Sequence, residues 1–566
     1  MRNTLLPIFL NTFTVLLTTA VLIFSPGLSP AAPLSPADRD IIELQQRQLL
    51  QQNRQQRDEL EKQTEKPSAA LPSPVYPGSG PCVTIHQITV SGAPHLSEKS
   101  RKELVTSREG NCLTLSDIQA LTDAITDDYL HRGFITSRAF LTEQDLSGGI
   151  LSVAVMEGTL EDITLEGEKP LFLKTAFPGM TGRILNLRDI EQGMEQINRL
   201  RQVPVRIDIL PGSQPGTSRV NLTAEPEFPV QGGISFDNSG QKSTGEKQIG
   251  VSLTGNNLLR LGDRSFVSVT KSSDFSPSRD AVSLQTGISL PYGYSLLDYS
   301  YVYSGYDSLL TQRGYHWYSR GNTQTHRLSG YHTLYRDSDM KTAAAAGLSH
   351  RIIRNYLNDV RLNSSSRTLT SVSLGINHSQ KLWRGYATLN PAVSRGVPWF
   401  GGEDDRGKQS SQEPAAEFTK WSVSGSYYLP LTDNITWLTS FYGQWSPDRL
   451  YAGERLILGG ESSVRGFKEQ YLSGDNGGYW RNEISWKVLH LPVAGDTGFT
   501  VAADGGRLAA DNHDPRSGGT LWGASAGLWS RSAFMTNQLT AGVPLVYPQW
   551  LKPDPVSVYY RISFTF

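Results

Sequence analysis

From Phe228 to the last residue, apolar and polar side chains alternate in segments of strand length, and the final segment shows the pattern most plainly. In Tyr559-Tyr560-Arg561-Ile562-Ser563-Phe564-Thr565-Phe566, a strand puts Ile562, Phe564 and Phe566 on one face and Arg561, Ser563 and Thr565 on the other. A long strand edge left free at a chain end invites aggregation unless the strand closes a barrel. Apolar outside and polar inside is the alternation of an outer-membrane barrel. Sixteen such segments are predicted, starting near Val230, Lys247, Arg264, Ala281, Leu296, Thr323, Lys341, Thr368, Lys381, Phe418, Asn434, Gly478, Gly498, Leu521, Ala533 and Val556. Their connections alternate in length. Pro291-Tyr292-Gly293, Tyr335 to Met340 and Pro430 to Asp433 are short; Tyr306 to Arg320, Arg354 to Ser366, Ser394 to Glu417 and Tyr451 to Gly477 are long. The longest loops all follow odd-numbered strands, which places the short turns on the periplasmic side.

Residues 82–227 carry a different pattern, read as two similar units. In the first, Val83 to Val90 alternates as a strand, helices are predicted over Ser97 to Glu109 and Ser116 to Arg132 with Ser116 as the cap, and strands follow near Ile135 to Leu141 and Ile150 to Val155. The second keeps the outline, with strands at Leu160 to Leu165, Pro204 to Ile209 and Arg219 to Ala224 and one readable helix, Leu187 to Leu200. Two copies of one supersecondary unit make a small array.

Residues 35–66 read as a helix. Ser35 can cap it, Pro36 suits its first position and Asp38 complements its dipole. Beyond Leu50 only Leu60 is apolar, so the helix has no stripe to bury in a soluble core and belongs in solvent or in a polar channel. Residues 67–81, with Pro67, Pro72, Pro74, Pro77 and Pro81, form an extended linker. Residues 1–31 read as a secretory signal: Arg2 precedes an apolar run from Leu5 to Phe24, and cleavage is expected after Ala31.

Composition narrows the function classes. The chain has 566 residues, 38% of them hydrophobic, and a mean hydropathy of -0.34. That is too polar for a helical membrane protein, but alternating barrel strands dilute hydropathy in this way. A net charge of -1 gives no support to a nucleic-acid partner. The 10 His residues are scattered without metal spacing, no nucleophile lies in a triad context, and Glu403-Asp404-Asp405-Arg406 reads as a charged loop tip. No enzyme, metal or cofactor is expected. Cys82 and Cys112 are the only cysteines and follow the signal, so both meet an oxidising compartment. They either pair or stay as buried thiols; the compartment favours a disulfide, which in the chain-entropy argument stabilises by roughly 3 kcal/mol.

One loop makes a resemblance specific. Gly459-Gly460-Glu461-Ser462-Ser463-Val464-Arg465-Gly466-Phe467 resembles the V-R-G-F/Y tip of the sixth loop in the superfamily of outer-membrane insertases and two-partner-secretion transporters. Ala503-Asp504-Gly505-Gly506 is similar to the motif that this superfamily places on the inner barrel wall, and Asn256 to Asp263 to its turn between strands two and three. The two small units resemble POTRA domains, which bind polypeptides. Two such units plus an N-terminal helix and linker resemble the TpsB branch: haemolysin-activator, filamentous-haemagglutinin and contact-dependent inhibition transporters.

The resemblance implies an all-β, 16-stranded antiparallel transmembrane barrel (228–566), POTRA domains at 82–157 and 158–227, and a plug helix at 35–66. It implies that Arg465, in the tip Val464-Arg465-Gly466-Phe467, pairs with Asp504 beside Gly506, and that Tyr560, Ile562, Phe564 and Phe566 form a C-terminal signal for the barrel-assembly machinery. The implied activity is two-partner (type Vb) secretion of a large exoprotein (toxin, haemolysin or adhesin) bound through its N-terminal secretion domain, with activation of that exoprotein left open. The barrel is expected among outer-membrane lipids, with the POTRA domains in the periplasm. The alternative is an outer-membrane assembly or insertion factor.

Overall fold

The computed structural model describes residues 34–62, 81–276, 278–312, 314–408, 410, 413–511 and 518–566. The signal segment 1–31, the end of the N-terminal helix at 63–66 and all of the linker but Pro81 lie outside the described residues.

The first helix, α1 (Pro36–Lys62), is capped by Ser35, whose hydroxyl accepts from the Asp38 amide at 3.2 Å. The first small unit follows as β1 (Val83–Thr84), β2 (Gln87–Ser91), α2 (Glu98–Leu104), β3 (Cys112–Leu113), α3 (Leu115–His131), β4 (Arg138–Leu141) and β5 (Ile150–Met156). Its three-stranded sheet has the order β2-β5-β4, with β2 parallel to β5. Ile118, Leu121, Ile125 and Tyr129 of α3 pack on Leu151, Val153 and Val155 of β5. The cap of α3 is Thr114, not Ser116. Thr114 and Asp117 form a reciprocal capping box, which satisfies two amide donors where Ser116 would satisfy one. The expected strand Val83 to Val90 is broken at Ile85-His86, because β1 turns aside to pair with β3. Cys82 and Cys112 are disulfide-bonded, with Cα atoms 5.3 Å apart.

The second unit comprises β6 (Thr159–Leu165), α4 (Leu171–Ala176), α5 (Leu187–Asn198), β7 (Arg206–Pro211) and β8 (Thr217–Thr223). Its sheet has the order β6-β8-β7. Helix α4 was not legible: it is 6 residues long, too short to display a helical period, and has no side-chain cap.

The barrel follows: β9 (Val230–Asp237), β10 (Gln248–Asn256), β11 (Arg264–Ser272), β12 (Arg279–Tyr292), β13 (Ser295–Gln312), β14 (Tyr315–Arg336), β15 (Met340–Leu357), β16 (Val360–Arg361), β17 (Arg367–Leu382), β18 (Gly385–Gly396), β19 (Thr419–Pro430), β20 (Ile435–Trp445), β21 (Leu456–Leu458), β22 (Leu472–Gly474), β23 (Gly477–Leu491), β24 (Gly495–Leu508), β25 (Gly519–Arg531), β26 (Met535–Val546) and β27 (Ser557–Thr565). Sixteen of these form the closed antiparallel wall; β16 is a two-residue extension of the ladder on β15, and β21 and β22 pair within the sixth loop.

Two expected long loops are instead protruding hairpins. β13 and β14 stay paired from Ser295↔His332 up to Gln312↔Tyr315, and β15 runs to Leu357. In Asp307, Ser308, Ser319 and Arg320 both faces are polar, so the alternation vanishes while the hydrogen-bond ladder continues. The boundary expected near Lys381 falls at Trp383-Arg384, where Trp383 takes φ 53° in the turn.

The wall closes where β27 meets β9 over five paired positions, Arg561↔Asp237 to Thr565↔Gly233. Phe566 and Gly232 exchange amide hydrogen bonds below that ladder. Above it, the Asn238 amide donates to Tyr560 O at 3.3 Å, and its side chain donates to Val558 O at 2.8 Å and accepts from the Tyr560 amide at 2.9 Å, so a side chain reinforces the end of the ladder. Ile562, Phe564 and Phe566 are exposed on the outer face, and the Tyr560 ring lies 5.9 Å from that of Phe236. Arg561 faces inward to Asp237 and Glu461. Among the described residues, no helix is long and apolar enough to cross a membrane, which says nothing of strands.

Candidate functional site

The lumen is occupied. Helix α1 lies inside the barrel, and the polar character that excluded it from a soluble core is what the inner wall requires. Its N-terminal end meets the wall through Asp38 with Thr323 (3.4 Å) and Asp40 with Ser304 (3.4 Å) and Gln241 (2.8 Å). Midway, Gln48 accepts from Arg327 at 3.3 Å, and Asn53, Gln56 and Asn390 form an amide chain with steps of 2.8 and 3.0 Å. Towards its C-terminal end the Arg57 guanidinium stacks 4.3 Å above the Tyr428 ring. The helix also touches the sixth loop. Arg39 donates to Lys468 O at 2.7 Å and lies 4.8 Å over the Tyr471 ring, and Gln46 donates to Ile457 O at 2.8 Å.

The sixth loop folds into the lumen, and its tip is pinned. Arg465 is buried and forms a two-pronged pair with buried Asp504 of β24: Nε to Oδ2 at 2.6 Å and one terminal nitrogen to Oδ1 at 2.8 Å. Its backbone amide adds a third bond to Asp504 at 3.1 Å. The other terminal nitrogen reaches Glu483 of β23 at 2.7 Å, so the cation is shared between two carboxylates on adjacent strands. Glu483 was not anticipated. Its signal in the sequence is only that it lies two residues from Arg481, which β23–β24 register sets opposite Asp504. Val464 and Phe467 flank Arg465 and are fully buried with Leu456, Leu458, Leu472, Leu508 and Leu521, a small apolar core inside a polar channel. Gly466 takes φ 102°, a conformation that favours glycine. At Gly506 a side chain would crowd Leu458 of this core, 3.0 Å away.

The second small unit packs against one arc of the lower rim. Thr175 donates to Leu261 O at 2.8 Å, and Arg199 donates to Gly262 O and to Ser289 at 2.9 Å. The turn at Asn256 to Asp263 is thus the seat of this unit; buried Asp263 shapes it by accepting from the Leu259 amide at 2.9 Å. One turn earlier on the same helix, Gln192 (2.9 Å) and Glu195 (2.6 Å) of α5 accept from Arg336 of the wall. Lys341 binds both Glu195 and, at 2.9 Å, Glu59 of α1, so wall, helix and periplasmic unit share one cation. Burial alone would raise the Glu195 carboxyl, but Lys341 and Arg336 override it and hold the group at about 2. A cavity of about 1000 Å³ remains beside α1, lined by Gln48, Glu195, Arg199, Arg264 and Asp298 among others. Among the described residues, no three His, Cys, Asp or Glu are grouped to hold a metal. In the acidic loop, Asp405 accepts from the Ala416 and Glu417 amides, and Arg406 pairs with Asp404.

Residues 216–530 match the family described as haemolysin secretion/activation protein ShlB/FhaC/HecB. The chain belongs to this family. Residues 83–158 match its ShlB-type POTRA domain and residues 159–211 a further POTRA domain. The chain is 54% identical over 558 residues to the outer membrane transporter CdiB of Escherichia coli, covering 98% of this chain and 94% of the relative. It is 33% identical over 539 residues to the hemolysin transporter protein ShlB of Serratia marcescens, covering 92% of each. The solved structure of CdiB from Escherichia coli superposes with a TM-score of 0.89 over 95% of this chain and 100% of that one. The transporter is therefore an outer-membrane protein of two-partner secretion with its POTRA domains in the periplasm, and the insertase alternative is set aside.

Proposed function

We propose that the transporter exports one large exoprotein of toxin, haemolysin or adhesin class, captured in the periplasm through its N-terminal secretion domain. Capture is by strand addition at edge strands of the POTRA sheets, β2 and β4 in the first domain and β7 in the second, where residues 182–184 already pair with the start of β6. Helix α1 plugs the channel at rest and leaves during export, and the sixth-loop tip stays latched through Arg465 and Asp504 until the cargo passes. Folding of the cargo outside the cell supplies the drive. Tyr560, Ile562, Phe564 and Phe566 present the barrel to the assembly machinery and then to outer-membrane lipids.

The observation that supports this reading best is a lumen filled by a helix held mostly through polar side chains. Such contacts can be exchanged for water or for another polypeptide at small net cost, unlike a packed apolar core. The test is a secretion assay in which the transporter is co-expressed with a large exoprotein that carries an N-terminal secretion domain. Surface delivery that depends on the transporter supports the proposal; delivery without it, or retention with it present and folded, refutes it.

A further inference from the structure

Gly523 of β25 and Gly542 of β26 are inward positions that neither the loop motif nor the wall motif includes. Neither has positive φ, so their extended backbone would accept any residue. Space is what restricts them. A Cβ at Gly523 would lie 1.9 Å from the backbone oxygen of Arg465, and one at Gly542 would lie 2.8 Å from the amide nitrogen and 3.0 Å from the Cα of Gly466. The contact is reciprocal: a Cβ at Gly466 would lie 2.6 Å from Val543 O. The loop tip thus lies backbone to backbone on the wall. The hydroxyl of Ser557, on β27, donates to Gly466 O at 3.1 Å and fixes the outer side of the same contact.

We propose that Gly523 and Gly542 are positioning residues that form the seat of the sixth-loop tip. They set how deep Arg465 sits and so whether its fork reaches Asp504. A methyl group at either site lifts the tip off the wall, and the two-pronged pair loses its geometry because both prongs depend on one fixed backbone height. The inference rests on the reading that the latched tip serves export, so seating and export are measured separately.

The test uses the full-length transporter in liposomes with Ser462→Cys, a position only 6% exposed when the tip is seated. The native cysteines are disulfide-bonded and do not compete for the probe. Gly523→Ala and Gly542→Ala should each raise the maleimide-labelling rate about tenfold or more, the signature of a protected site that opens locally. Gly330→Ala, whose new methyl meets nothing within 4 Å, should leave the rate unchanged. Unchanged labelling in folded Gly523→Ala barrels overturns the proposal. Where a substitution hinders assembly, the same change is made in a chain lacking residues 461–467. There both substitutions should leave the barrel's melting temperature unaltered, and a drop would assign the glycines to the wall and overturn the seat. A tip that opens while export stays normal upholds the seat and refutes the latch of the previous section.

Discussion

Arg465 holds three bonds to Asp504 and one to Glu483 while almost wholly buried. Removing one partner of such a pair leaves a buried charge uncompensated, at a cost of about 3–5 kcal/mol when fully dry and less in a wet channel. Arg465→Ala should therefore abolish or cripple secretion while the barrel still inserts, as read by export and by heat-modifiable mobility on the same cells. Arg465→Lys should not restore export, because a lysine offers one point contact where the site demands a fork. Arg465 and Asp504 were legible because each lies in a short motif with fixed neighbours. Glu483, Gly523 and Gly542 were not, because their meaning depends on strand register and on where a distant loop lands, neither of which is encoded locally.

At the scale of elements, α1 was legible from what it lacks: a helix without an apolar stripe needs polar surroundings, and the inner wall of β13, β14 and β18 provides them. Deleting residues 35–66 should raise single-channel conductance in a planar bilayer and antibiotic sensitivity in cells, with secretion largely retained; equal conductance would show that α1 does not block the channel. The hairpin tips were misread as loops because membrane contact, not pairing, generates the alternation. The short strands β1 and β3 were missed as a pair, although the Cys82–Cys112 disulfide adjoins both. Replacing both cysteines by serine should lower the stability of the first POTRA domain by roughly 3 kcal/mol in a denaturant titration, leaving the barrel transition in place.

At the scale of the molecule, α5 joins POTRA and barrel through Glu195, which is held well below an ordinary glutamate by Lys341 and Arg336. A lowered carboxylate adds stability that is complete above about pH 4.5 and is lost as pH falls through about 2. Energy transfer between labels on the second POTRA domain and the barrel rim should therefore fall on acidification across that window. Glu195→Gln should remove that component of the pH dependence. This junction was beyond the reach of the sequence, since Glu195, Lys341 and Glu59 lie on three elements far apart in the chain, α5, β15 and α1.

The wall is also mechanically uneven. β13 and β14 are joined over eighteen paired positions, whereas β27 and β9 are joined over five, with one asparagine side chain splinting the upper end. A ring stretched from within does not strain evenly; hoop tension concentrates at its most compliant joint. A passing chain too wide for the bore would therefore be accommodated by play at that one joint, while the tall β13–β14 side acts as the stiff back of the ring.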